Sequence, residues 1–426
     1  MTHINERLLQ FIWQHQYFNA AQLVTTKKQQ LHIRYRGELN HNQGPDFLQA
    51  RIEIDGLQLA GSIELHIRSS HWDVHAHSSD PNYNNVVLHV VWEDDLLTEH
   101  RFPVLELRHR VSGSLLAHYR LLMQQPTTIP CATLLHQVPE LVWQNWKERL
   151  VAERWTERLE KISALRSHSQ QSWETTCWVL LARNFGVPHN ADAFESIALS
   201  LPITLLARHK NQIQLLEALL LGQAGLLQAE FKDAYPIMLQ KEYRFLQQKY
   251  QLQPVDIRVL SLRMRPGSFP AVRLAQLAML VHQSSHLFSR IIESQSLNEI
   301  RMLLTVTAND FWHRHFTLGT ESPYQPKKTG KDLIHNLLIN AVLPVLYSYA
   351  LHTRNTVLQE KALDWLMQLP AEKNRITRIW REMNVHTQHA FDSQALIHLY
   401  KNYCSQQHCL SCAVGTAILR KTVTAN

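Results

Sequence analysis

The stretch from Gly44 to Trp92 gathers more reactive side chains than any other part of the chain. Asp46 follows Pro45, and Glu64 and His66 stand two residues apart. Two carboxylates offer hard oxygen ligands to a divalent cation such as Mg2+ or Mn2+. A neighbouring imidazole can hold or polarise the attacking water. The chemistry that fits is metal-dependent hydrolysis of a phosphodiester, with Asp46, Glu64 and His66 as catalytic residues and the Leu65 carbonyl completing the metal shell. The plainer alternative is that Asp46 caps the turn after Pro45 and Glu64 is a solvated strand residue.

A second set follows closely. His75, His77 and Asp80 offer two nitrogens and a carboxylate, a plausible shell for zinc, manganese or iron. Asp80-Pro81-Asn82 is also good turn chemistry. His89 sits in an apolar run and reads as a hydrogen-bonded core histidine. Trp72 and Tyr83 flank the loop, to stack on bases or to pack on the sheet edge.

A third set lies far away. Cys404, Cys409 and Cys412 form C-x4-C-x2-C, a spacing that suits an iron–sulfur cluster or Zn2+. Cys131 is the natural fourth ligand and His408 its substitute. The alternative is three reduced thiols packing a terminal helical turn. Cys177, beside Trp178, reads as a buried thiol.

Periodicity says which elements must position these groups. Glu6–Tyr17 reads as a short amphipathic helix. Phe47–Ile54 and Leu57–Ile67 alternate as strands joined by an Asp55-Gly56 hairpin turn. That hairpin brings Asp46 and Glu64 to one end of the sheet, with Glu64 and His66 on one face. Val86–Trp92 is nearly continuously apolar, as a strand covered on both sides would be. Phe102–Leu107 is one more strand. Residues 1–110 are therefore expected to form an α+β domain on a small mixed or antiparallel sheet. Residues 111–142 read as a connector. Helical patterns over 146–166, 172–185, 191–206, 212–229, 237–249, 271–293, 297–304, 331–351, 356–368, 372–383 and 393–403 predict a large all-α domain over 143–426.

The Pro45-Asp46 hairpin followed by Glu64-Leu65-His66 resembles the PD-(D/E)XK nuclease superfamily. That resemblance implies a restriction-endonuclease-like fold. His66 stands where the superfamily usually has lysine, a departure that favours a non-catalytic, degenerate nuclease core as an alternative. Some nucleases of that superfamily likewise tie a remote N-terminal cysteine to a C-terminal triplet through a four-iron cluster.

Composition limits the remaining choices. The chain has 426 residues, 45% hydrophobic and 19% charged, an ordinary globular balance with room for two or three domains. A formal charge of +7 permits nucleic acid as a partner without requiring it. Arg258, Arg263, Arg265 and Arg273 around the Pro266–Pro270 turn, and Lys327, Lys328 and Lys331 in a later loop, offer phosphate contacts. The N-terminus lacks the pattern of a signal peptide, and Ala341–Leu351, broken by Pro344, is too short to span a bilayer. Five cysteines without such a signal argue against a disulfide framework, so a cytoplasmic, membrane-free protein is expected. There is no Walker loop, no dinucleotide glycine fingerprint and no serine or cysteine nucleophile motif.

Finally, NERLLQFIWQHQYFN, LNHNQGPDFLQARIEIDG, DPNYNNVVLHVVWE, LLGQAGLL, LRMRPGSFPAVRLAQLA and CLSCAVG together resemble a bacterial family known only as a domain of unknown function. The resemblance runs nearly end to end and implies a stand-alone cytoplasmic protein without assigned catalytic residues. Three functions follow: a metal-dependent nuclease acting on DNA or RNA, a non-catalytic nucleic-acid-binding or scaffold protein, and a metal hydrolase using His75, His77 and Asp80.

Overall fold

The computed structural model describes residues 4–40, 42–75, 77, 80–96, 100–124, 128–168, 172–261, 268–284 and 286–421. The chain divides into two compact units, one of Met1–Glu148 with His398–Asn426 and one of Arg149–Ile397. This division differs from the expected helical domain over 143–426. The C-terminal cysteine segment belongs with the sheet, and the helical unit is an insertion between the two parts of the first. Packing between distant segments sets this boundary, and local periodicity carries no trace of it.

The first unit opens with helix α1 (Glu6–His15), which Asn5 caps by accepting the Leu8 amide proton at 2.9 Å. Leu8, Leu9, Ile12 and Trp13 are buried along one side. Strands β1 (Leu31–Tyr35), β2 (Glu38–Leu39), β3 (Phe47–Ile54), β4 (Leu57–Arg68), β5 (Val86–Glu93) and β6 (Val104–Glu106) form one mixed sheet. Its order is β1-β3-β4-β5-β6, with β2 paired to β3 off that path.

β3 and β4 are the predicted antiparallel hairpin. Asp55 and Gly56 turn it with φ of 48° and 85°, the left-handed pair a tight two-residue turn needs. From β4 the chain crosses through helix α2 (His71–Val74) and a 3-10 turn at Pro81–Tyr83 to β5. β5 pairs in parallel with both β4 and β6. A strand held between parallel neighbours and covered on both faces must be apolar throughout, and Leu88, Val90 and Val91 are fully buried.

The expected connector over 111–142 holds helix α3 (Gly113–Gln124) and a 3-10 helix at Ala132–Gln137. Both pack against the C-terminal helix Ala413–Lys421, which is how the last segment joins this unit.

Among its described residues the second unit is mostly helical, with a two-stranded ribbon, His315–Thr317 with Thr320–Glu321. Helix Trp173–Phe185 packs on Ala191–Ser200, and Ile213–Gln223 packs on both Ala234–Tyr250 and Pro270–Gln283. A mixed sheet region and a mostly helical remainder agree with the expected order of an α+β part followed by a helical one.

Buried at the centre of the second unit is a polar cluster. Glu217 accepts hydrogen bonds from Tyr235 Oη at 2.8 Å, Trp312 Nε1 at 3.0 Å and Asn309 Nδ2 at 2.6 Å. Among the described residues one helix, Lys331–His352, is long and apolar enough to cross a membrane by length and composition, which corrects the expectation that the apolar stretch at Ala341–Leu351 is too short. Pro344 does not break it: a short π-helical stretch at Leu338–Val342 precedes this residue, and the helix continues as Leu343–His352. Of its most apolar window, 67% is buried inside the protein.

Candidate metal centre

Gly44 has φ of 102°, a conformation other residues rarely adopt, and it turns the chain into Pro45 and Asp46. Just beyond, β3 is bulged between Phe47 and Ala50, with Gln49 at a left-handed φ of 59°. Such a bulge re-aims the strand end beside it. The result is a reciprocal clasp. Asp46 N donates to Glu64 Oε2 at 3.0 Å, and Leu65 N donates to Asp46 Oδ2 at 3.0 Å. The other Asp46 oxygen accepts from Gln10 Nε2 of α1 at 2.8 Å. Asp46 therefore does not merely cap a turn after Pro45, and Glu64, 5% exposed, is not a solvated strand residue.

The clasp leaves Glu64 Oε1 as the free oxygen. His66 Nε2 and His77 Nε2 each lie 3.5 Å from it. His75 Nδ1 lies 3.2 Å from His66 Nε2. One ligand atom from each of His66, His75 and His77 falls within 4.8 Å of the other two. The two sites expected from sequence are therefore one. α2 and the turn that follows it fold the histidine loop back over β4.

Asp80 is the exception among the expected residues. One oxygen of its carboxylate accepts the Asn82 amide proton at 2.9 Å and caps the Pro81–Tyr83 turn, and it is not part of the His66, His75 and His77 group. Sequence could not separate these roles, since aspartate is favoured for both.

The surroundings fix the rings. His66 Nδ1 and His89 Nε2 are 2.9 Å apart, so His89 can hold the His66 tautomer in which Nε2 carries the lone pair. Tyr83 stacks on His77 with ring centroids 3.9 Å apart, and Trp72 meets His77 edge-on at 5.4 Å. Trp72 is buried, so its task is to form this wall. His75 is exposed and marks the open side.

Electrostatics follow from burial. Desolvation, and then the neighbouring imidazoles, push His66 down to about 2. Desolvation pushes His89 down to about 3. His77 is lowered chiefly by burial. All three are thus held neutral, the form that has a lone pair to give. Both carboxyls are pushed upward by burial, Glu64 also by the Asp46 charge. Burial so favours the protonated, neutral carboxyl, and a bound cation would restore the charged form. His77 Nε2 is buried and has no hydrogen-bond partner. That nitrogen faces a carboxyl oxygen and two further imidazoles, so four ligand atoms converge. The residues fit a divalent ion.

The four cysteines of the first unit lie near enough to influence one another's charge. Cys131, Cys404, Cys409 and Cys412 are all buried. Burial raises Cys131, with Cys412 and Cys409 adding to it; burial raises Cys404, with Cys412, Cys131 and Cys409 adding to it. Cys409 is pushed up to about 12 by burial and by Cys412. Thiols that destabilise one another's anions gain a stable charge state from a bound cation. His408, the expected substitute, is exposed, and its Nδ1 faces the Asn402 carbonyl at 3.1 Å. Cys177 lies buried in helix Trp173–Phe185, as its sequence context suggested.

Of the expected nucleic-acid contacts, Arg258 is exposed and Arg273 is half-buried. Arg263 and Arg265 lie outside the described residues. Sequence reasoning missed Gln10, whose position in an amphipathic helix gives no hint of a carboxylate partner.

Fold and site together define an α+β unit with a histidine–carboxylate cluster, carrying a helical unit inserted in its chain. The chain belongs to the family described as protein of unknown function (DUF2851), whose model matches residues 6–375. That match ends before the cysteine triplet. No curated protein and no solved structure matches the chain.

Proposed function

We propose that the first unit is a metal-dependent nuclease core acting on DNA or RNA phosphodiesters. The observation that carries this reading is the convergence of Glu64 Oε1, His66 Nε2, His75 Nδ1 and His77 Nε2, with the His77 nitrogen unpartnered. The element order supports it. A helix, an antiparallel run of strands, a helical crossover and a parallel strand form the layout expected of a restriction-endonuclease-like core. Within it Asp46 stands at the hairpin entrance and Glu64 and His66 on the second strand, as in the PD-(D/E)XK pattern.

Histidine in place of lysine is accounted for by the donor set. His66, His75, His77 and Glu64 would hold the ion, and a shell this rich in imidazole favours Mn2+ over Mg2+. The bound ion would supply Lewis-acid polarisation of a phosphoryl oxygen and a more acidic water. The chain does the rest. Asp46 is held by Gln10 and Leu65 and fixes Glu64 through its own amide. His89 fixes the His66 ring. Trp72 and Tyr83 exclude water from one side, and substrate enters past His75. The metal-hydrolase alternative at His75 and His77 merges with this reading, because those residues share Glu64 and His66.

The test is cleavage of single- and double-stranded DNA and RNA with Mn2+. Wild-type protein is expected to cut, and Glu64→Ala and His66→Ala are expected to be inactive while still folded. Cleavage that survives both substitutions overturns the assignment. Salt-sensitive binding without cleavage under any metal would favour the non-catalytic alternative.

A second metal, iron–sulfur or Zn2+, at Cys131, Cys404, Cys409 and Cys412 is proposed from their shared burial and mutual influence. Anaerobically purified protein is expected to carry iron with visible absorption, or zinc without it, and Cys409→Ser to lose the metal. Reduced thiols of this kind suit the cytoplasm, and the burial of helix Lys331–His352 suits a membrane-free protein.

A further inference from the structure

The second unit contains the opposite chemistry. A cavity of about 460 Å3 is lined by Arg273, Lys327, Lys328 and Lys331, with Asp332 the one carboxylate among its lining residues. Lys327 is 5% exposed. Its Nζ has no hydrogen-bond partner and rests 3.6 Å from the centroid of the Phe316 ring. The backbone of Lys327 is not free to withdraw. Its carbonyl accepts from Ala308 N at 3.1 Å and from Gln276 Nε2 at 3.1 Å. Arg273 Nε is likewise buried without a partner, and Nη1 only reaches Gln276 Oε1 at 3.4 Å. Neither residue forms an ion pair among the described residues, Asp332 included.

Burying an ammonium or guanidinium without an acceptor is strongly unfavourable. A cation–π contact softens that cost for Lys327 and leaves its N–H donors unused. Desolvation accordingly lowers both groups, Arg273 to about 10. Two helices also begin at the cavity. Helix Pro270–Gln283 and the helix running Lys331–His352 start there, and neither has a side-chain cap. Their first backbone N–H groups add a positive end to the cationic side chains.

An aligned set of donors without acceptors selects an anion. Four cations facing one carboxylate overcompensate a single negative charge, so a carboxylate ligand leaves the cavity positive. A doubly charged group with several acceptor oxygens matches it better, and a guanidinium fork and uncapped helix starts both suit tetrahedral oxyanions.

We propose that this cavity is a binding site for a phosphoryl dianion, gripped by Lys327 Nζ and the Arg273 guanidinium, with Lys328 and Lys331 at its rim. The dianion comes either as free inorganic phosphate or as the terminal phosphate of a nucleotide monoester. The site uses residues of the second unit alone, and its existence does not depend on nuclease activity in the first.

The experiment is calorimetric titration of the full chain with inorganic phosphate, with adenosine 5′-monophosphate and with adenosine, at constant ionic strength. Saturable binding of phosphate, or of the monophosphate but not adenosine, is expected, and which of the two binds tells the sources apart. Lys327→Met, which keeps the aliphatic stem, is expected to weaken binding at least tenfold and to melt no lower than wild type. A second measurement needs no variant. The bound ligand is expected to protect Lys327 of the wild-type protein from amine acylation, read by mass spectrometry of the digested peptide. If neither phosphate nor the monophosphate binds, or if Lys327→Met binds like wild type, the site does not exist.

Discussion

The two units bury polar chemistry of opposite kinds. Around Glu64 the sheet unit collects lone pairs without a cation: three neutral imidazoles and a carboxylate oxygen. Around Lys327 the helical unit collects N–H donors without an acceptor. Both arrangements cost stability in the isolated chain, and each names the charge of what would relieve it. Glu217 is the control within the same molecule. It is as deeply buried as either set, yet three donors satisfy it, and it calls for no ligand.

Removing a member of the lone-pair set is the hardest test of this contrast. His66→Ala is expected to lower Mn2+ affinity by more than about 100-fold, beyond the range usual for residues one step removed from a metal. Isothermal titration with Mn2+ measures it, and unchanged affinity would dissolve the distinction between the two units.

Next comes the satisfied carboxyl. Burial pushes Glu217 from its ordinary 4.5 up to about 7. The native state therefore binds more protons than the unfolded state between those values. Stability from this group is fully present below pH 4.5 and declines as pH rises through 7. The loss is of order 2–3 kcal/mol. Denaturant melts at pH 5 and pH 8 are expected to show it, and Glu217→Gln to flatten the difference. A wild type indifferent to pH would mean the three donors hold the charged form after all.

His89→Leu leaves every ligand in place and frees the His66 ring. It is expected to weaken metal binding about 10–100-fold while the fold is retained. An effect as large as that of His66→Ala would place His89 among the ligands themselves.

Smallest is the change on the donor side. Lys327→Met removes an unpaired buried cation and keeps the contact with Phe316, so the ligand-free protein is expected to gain about 1 kcal/mol in denaturant unfolding. A loss instead would show that the ammonium contributes to the fold.

What could be read from sequence was local. Asp55-Gly56 and the alternation on either side specify the hairpin, and the hairpin with its bulge between Phe47 and Ala50 brings Asp46 beside Glu64. The merging of His75 and His77 into the same site was illegible. It depends on Trp72 wedging under the loop against His89 and Phe102, a long-range packing event. Asp80 misled because a turn-capping aspartate and a metal-binding one look alike in one dimension. α3 escaped notice because GSLLAHYRLLMQ distributes its apolar residues too evenly for a clear helical face. Lys327 looked like any lysine in a charged loop, since burial is decided by neighbours remote in the chain.

One feature of the chain's path also bears on its synthesis. The helical unit, Arg149–Ile397, is continuous, whereas the sheet unit is assembled from Met1–Glu148 and His398–Asn426. A nascent chain can finish the inserted unit before it finishes the unit that surrounds it. Until residues 398–426 leave the ribosome, α3 lacks the helix Ala413–Lys421 that it packs against. Of the two units the sheet unit is therefore completed second, and a chain cut short between them leaves it incomplete while the helical unit is whole.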